Sequence, residues 1–141
     1  MIRKDYLLRY FEELGQVLAK LMGFKEKGDF KGGLELLNET FSSMLHISSG
    51  DLNRISSDKL VSYLSDDLQF TLTQISLVAE LLFEEAELYN QQTQQEDANT
   101  RYRKVLILYK YLSQEEKSYS MERVERMEMI NTILDASGNQ N

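Results

Sequence analysis

Apolar side chains recur along the first part of the chain at alternating intervals of four and three residues, as Leu7, Phe11, Leu14, Leu18 and Leu21. That spacing puts them on one stripe of an α-helix, and Tyr10, Val17 and Phe24 widen the stripe until it needs cover on more than one side. Gly28 ends the helix, since glycine accepts the left-handed backbone of a helix C-terminus. Asp29 can cap a second helix, in which Phe30, Leu34, Leu37, Phe41 and Met44 keep the same rhythm. So short a link makes the two helices antiparallel. Gly32 and Gly33 inside the second helix cost about 1 kcal/mol each relative to alanine, which makes sense if a bare backbone lets the first helix approach closely.

From Ile47 to Asp67 the pattern breaks into short pieces. Ser48-Ser49-Gly50 reads as a turn and Asp51 as a cap, while Leu60, Val61 and Leu64 give one or two helical turns. Leu68 to Leu72 alternates as a strand would, but a lone strand has nothing to pair with, so a helix is expected to follow directly. Leu72, Ile75, Ala79, Leu82, Ala86 and Tyr89 form its stripe, and Val78, Leu81 and Leu88 form a second one. Polar residues from Gln91 to Gln95 close it. Ala98, Tyr102, Val105, Tyr109 and Leu112 mark a fourth main helix, after which Ser113 and Glu116 read either as a capping box or as a loop. A last helix carries Val124, Met127, Ile130 and Leu134 behind a start at Ser118 to Ser120, and 137–141 reads as a polar tail.

The expectation is one all-α domain over 1–136. It has a hairpin at about 3–46, an irregular helical connector at 47–67, a second hairpin at about 68–113 and a capping helix at about 119–136. At 141 residues with 42% hydrophobic and 28% charged side chains, the chain can bury a core without staples. The absence of cysteine removes disulfides, thiolate metal sites and thiol nucleophiles, and with no apolar run near ~20 residues the expected location is cytoplasmic. Net charge is −7, concentrated between Leu60 and Thr100, where eight acids stand without a lysine or arginine. Such a band repels phosphate backbones, so nucleic acid is not expected as a partner. Near the start, Arg3, Lys4 and Arg9 flank Tyr6, Leu7 and Tyr10, but Asp5, Glu12 and Glu13 oppose an anionic membrane.

The two hairpins resemble tetratricopeptide units, in which a large residue late in the first helix meets a small one early in the second. Phe24 and Gly33 take those parts in the first hairpin, around a Gly28-Asp29-Phe30 turn. In the second, Leu82, Ala86 and Tyr89 match the first helix, and Ala98, Tyr102, Val105 and Leu106 match the second. The likeness departs at Lys20 and Leu21, and the units stand about 65 residues apart instead of ~34. Ile2 to Leu7, Lys25 to Phe30 and Leu81 to Ala86 together also look like a family of small bacterial helical proteins of unknown function.

The tetratricopeptide resemblance implies a scaffold that holds a peptide or protein against the first helix of each unit. The matching positions are Met22 and Lys25 in the first hairpin and Glu80, Phe83, Glu87, Asn90 and Gln91 in the second. Met22 and Phe83 would give apolar contact, and Glu80 and Glu87 would favour a basic segment. Two hairpins and a cap are fewer than the three units a repeat stack usually needs, so a second copy of the chain is an alternative cover.

The rival is catalytic. Glu80, Glu84 and Glu87 lie at spacings of four and three on one helix face, near enough to share a divalent cation. All-helical nucleotide pyrophosphohydrolases resemble this, but their second carboxylate pair would fall near Tyr102 to Tyr109, where Arg101, Arg103 and Lys104 stand instead. His46, the only histidine, has no second ligand at metal spacing and is expected at a helix end. No serine elbow or glycine-rich phosphate loop is present. The expectation is therefore a non-enzyme with no cofactor and no metal.

Overall fold

The computed structural model describes residues 2–117 and 119–138, with side chains from Leu8 onward. The expected parts played by the Tyr6 and Leu7 side chains, by Ser118 and by 139–141 lie outside these residues. The described chain is all-helical, with 86% helix and no strand. Its main helices are α1 (Ile2–Glu26), α2 (Phe30–Leu45), α3 (Ser49–Arg54), α4 (Leu60–Ser62), α5 (Leu72–Gln91), α6 (Gln95–Glu116) and α7 (Met121–Gly138). Two compact units divide the chain at the start of α3, Met1–Ser49 and Gly50–Asn141.

In the first unit α1 packs against α2. Gly28, at φ 71°, makes the turn between them. The Asp29 carboxylate accepts the Gly32 N–H at 2.9 Å and so caps α2. At Gly32 the approach is close: a β-carbon there would stand 2.7 Å from the Phe24 ring and 2.5 Å from Asp29 Oδ2, and Gly33 beside it is buried. Leu21, Leu37, Phe41, Met44 and Leu45 are buried. His46 forms the left-handed C-cap of α2 with its side chain exposed; its N–H donates to the Ser42 carbonyl, and the Ile47 N–H donates to that of Phe41.

α1 has 25 residues and α2 has 16, so at 1.5 Å per residue α1 outruns its neighbour by about 14 Å. Arg9, Tyr10 and Glu13 lie opposite Ser43, Met44 and His46, which puts the overhang at the N-terminal end of α1.

In the second unit the short pieces run α3, a 3-10 turn at Ser57–Lys59, α4 and a π-helical turn at Tyr63–Asp67. Ser49 and Gly50 begin α3 instead of forming a turn. Asp51 lies in the first turn of α3 rather than capping it, and pairs with Arg54 at 3.4 Å. The alternating segment is no strand: the Leu68 and Phe70 N–H groups donate back to the carbonyls of Tyr63 and Leu64, and Gln69 takes a φ of 55°. Thr71 then starts α5 with a full capping box, its hydroxyl accepting the Gln74 N–H while the Gln74 side chain accepts the Thr71 N–H.

α5 packs on α6, and α6 also carries α7. Ser113 and Glu116, expected to cap or loop, lie in the last turns of an uninterrupted α6. Ser120 caps α7 by accepting the Arg123 N–H, and Ser137 and Gly138 belong to that helix rather than to a tail. Leu64, Ile75, Val78, Leu81, Leu82, Tyr102, Val105, Leu108 and Leu112 form the buried centre.

Two glycine substitutions test how tightly the first hairpin is closed. Gly15 is exposed in α1, and nothing lies within 4 Å of the place a β-carbon would take there. Gly15→Ala is therefore expected to raise stability by up to about 1 kcal/mol through helix propensity. Gly32→Ala is expected to lower it by about 1–3 kcal/mol, because the methyl group must displace the Phe24 ring. Urea unfolding followed by circular dichroism reads both signs.

Candidate functional site

The chemistry of the second unit is concentrated where α5 and α6 face each other. Glu85 falls four residues after Leu81 and three before Leu88, so the helical period carries a carboxylate into the apolar seam. Arg101 comes from α6 to meet it: its Nε donates to Glu85 Oε1, and both side chains are buried. A second guanidinium nitrogen donates to the Asp97 carbonyl at 2.9 Å, and the Tyr89 ring lies under the guanidinium with 4.3 Å to its centroid. Carboxylate, carbonyl and ring together replace the water the cation has lost.

One turn further along α6, Lys104 is 2% exposed and its Nζ donates to the Leu52 carbonyl of α3 at 2.6 Å. Burial, and then the neighbouring Arg101 charge, hold this ammonium below its ordinary pKa. The hydrogen bond ties the short α3 to α6.

A second cluster joins all three long helices of the unit. Arg126 of α7 places one guanidinium nitrogen 2.7 and 2.8 Å from the two oxygens of Glu80 on α5, and 3.0 Å from the Tyr109 hydroxyl of α6. Its other terminal nitrogen lies 2.9 Å from Glu122. The guanidinium carbon stands 4.5 Å from the centroid of Phe83, whose ring meets Tyr102 edge to face at 6.3 Å. Burial works against the Arg126 charge, but the hydrogen bonds and charge of Glu80 outweigh it and raise its pKa. Burial, followed by the Glu80 charge, pushes the Tyr109 phenol up to about 12.

The residues expected to bind a partner are thus placed differently from one another. Glu80 and Phe83 lie beneath Arg126. Glu87 and Asn90 are half-buried beside the Tyr102 hydroxyl, which is itself fully buried and has no hydrogen bond of good geometry. Burial, and then the Glu87 carboxylate, raise the Tyr102 phenol above its ordinary pKa. Gln91 is exposed at the end of α5, and Glu84 is half-buried. In the first unit Met22 is exposed and Lys25 half-buried.

Glu80, Glu84 and Glu87 do not gather into a metal cage: no three or more histidine or acidic residues among the described ones are arranged to hold an ion. From the sequence, Arg101 and Lys104 are expected only as basic residues pairing with a solvated acidic face of α5, and Glu85 and Arg126 are not singled out as contacts between helices. The signal for Glu85, Arg101 and Lys104 is charged residues at apolar-stripe spacing, whereas Arg126 gives none.

Replacing Arg101 by methionine takes from the buried Glu85 the guanidinium that meets it, an expected loss of about 3–5 kcal/mol. Adding Glu85→Leu is expected to restore most of it, as read by urea unfolding. Tyr109 gives a pH test. Between its ordinary value of 10.0 and about 12 the unfolded phenol ionises while the native one keeps its proton. Stability is therefore unaffected below that window and falls as pH rises through it. Absorbance at 295 nm should show a late phenolate phase near pH 12 that Tyr109→Phe removes.

No helix among the described residues is long and apolar enough to cross a membrane. No protein-family model matches the chain, and comparison with curated proteins and with solved structures yields no match either.

Proposed function

We propose that the chain is a non-catalytic helical scaffold that binds a protein segment, with α1 of the first unit as its main contact. The observation that carries this reading is a run of large apolar side chains left open to water on α1. Leu8, Phe11 and Met22 are 56%, 64% and 61% exposed. They fall on one helical stripe with Gly15 and the half-buried Leu18, and Leu8 lies where α1 outruns α2. An apolar stripe of this length on a helix end is the kind of surface that a partner covers.

Support for a tetratricopeptide-like arrangement is local. Phe24 packs on a glycine of the next helix, and Leu82, Ala86, Ala98 and Tyr102 are fully buried at the positions the likeness assigns to the second hairpin. The hydrolase alternative draws no comparable support, because Glu80 is already engaged by Arg126. A homodimer through the same α1 stripe is the competing interaction reading, since a second copy would bury the same side chains.

A photo-crosslinking residue placed at Phe11 or at Met22 is expected to trap one discrete protein species in cells, and the same residue at exposed Glu35 of α2 is expected to trap none. Each buried apolar anchor contributes about 1.5–3 kcal/mol, so Leu8→Ser with Phe11→Ser should weaken capture at Met22 by roughly a hundredfold or more. Equal trapping at Glu35, or none at either α1 position, overturns the scaffold reading. Trapping of the chain itself, with a dimer in sedimentation, selects the homodimer.

A further inference from the structure

The helix that closes the second unit is held unevenly along its length. Of α7's residues only Ile130 is fully buried, while Val124, Met127, Ile133 and Leu134 remain half-covered and Met121 and Met129 are exposed. Towards its C-terminal end the packing opens into a cleft of about 480 Å³, bounded by Leu134, Ser137 and Gly138 on α7 and by Gln95, Asn99 and Arg103 on α6. The apolar fit of α7 to the hairpin is therefore partial.

The polar fit is specific. Glu80, Tyr109 and the face of Phe83 surround one guanidinium with a carboxylate, a phenol and an aromatic plane. A lysine ammonium would not offer the same flat surface to the ring, so the site distinguishes arginine. Two of its members, Glu80 and Phe83, belong to the stripe that also contains Glu87 and Asn90, the face on which the sequence placed a basic ligand. Only residues 117–120 join α7 to α6.

We propose that α7 is a displaceable, built-in occupant of a docking groove on the α5–α6 hairpin, and that the groove's external ligand is an arginine-bearing amphipathic helix of a partner protein that takes the place of Arg126 on Glu80 and Phe83. Charge complementarity names the occupant, because α7 already shows which side chain the groove accepts. A partner helix wins over α7 by filling the cleft that Leu134 and Ser137 leave open. Tethering gives α7 a high effective concentration, so the groove is mostly closed and an outside helix binds weakly until α7 is loosened. The proposal rests on the scaffold reading only in assigning the groove a protein ligand. Its site is separate from Leu8, Phe11 and Met22, so the two readings fail in different experiments.

The test uses the full chain and, as probe, a labelled synthetic peptide of residues 120–138, followed by fluorescence anisotropy. Arg126→Ala in the chain should loosen α7 and tighten peptide binding at least tenfold over the parent, and adding Glu80→Lys should abolish that gain. The peptide carrying its own Arg126→Ala should bind at least tenfold more weakly than the unaltered peptide. Equal binding by parent and Arg126→Ala chains, or a gain indifferent to Glu80, overturns the proposal. So does dimerisation of the Arg126→Ala chain without tighter peptide binding, which would make a second copy the occupant. Should Arg126→Ala unfold, the chain with Glu80→Arg carries the test. It must accept a peptide with Arg126→Glu and refuse the unaltered one, and the reverse or equal preference overturns the proposal.

Discussion

The second unit is organised around a buried ion pair. Glu85 and Arg101 face each other from α5 and α6 with little access to water, and either charge alone would be strongly unfavourable there. Their demand for one another restricts how the two helices can slide, because a shift of one turn would separate them. The pair therefore acts on register more than on net stability. The Asp97 carbonyl and the Tyr89 ring complete the solvation of the guanidinium, and Lys104 extends the polar line to the Leu52 carbonyl of α3.

That register has consequences one and two turns away. With Glu85 opposite Arg101, Phe83 meets Tyr102, and Glu80 and Tyr109 come near enough to share the Arg126 guanidinium. The docking of α7 is thus downstream of the α5–α6 pairing. The first unit follows a different principle, in which shape decides: a ring lies over a glycine at the turn, and a helix longer than its neighbour is left with uncovered apolar side chains. One unit carries its specificity in charged contacts between helices, and the other presents an open apolar stripe.

Helix boundaries were readable where local chemistry sets them. Gly28 and Asp29 act through their own backbone freedom and their own carboxylate, so the turn between α1 and α2 followed from the residues alone. The segment 47–71 was harder, because its 3-10 and π-helical turns carry no periodic pattern of their own. Asp51 had the right chemistry for a cap but sits inside the first turn of the helix, and Thr71 with Gln74 formed a capping box that alternation with Leu68, Phe70 and Leu72 concealed.

By itself the sequence determined the helical class, the long helices and most of their buried faces, since those depend on spacing within about seven residues. It also marked Glu80 and Phe83 as neighbours on one face of α5. Only the tertiary structure decided that this face meets Arg126, 46 residues further along the chain from Glu80, and that Glu85 is satisfied by Arg101. The reason is physical: helical periodicity tells which way a side chain points, whereas an ion pair between helices depends on register and crossing, which no local interval encodes. Leu8, Phe11 and Met22 make the same point from the apolar side, for their spacing is that of a core and only the structure shows them open to water.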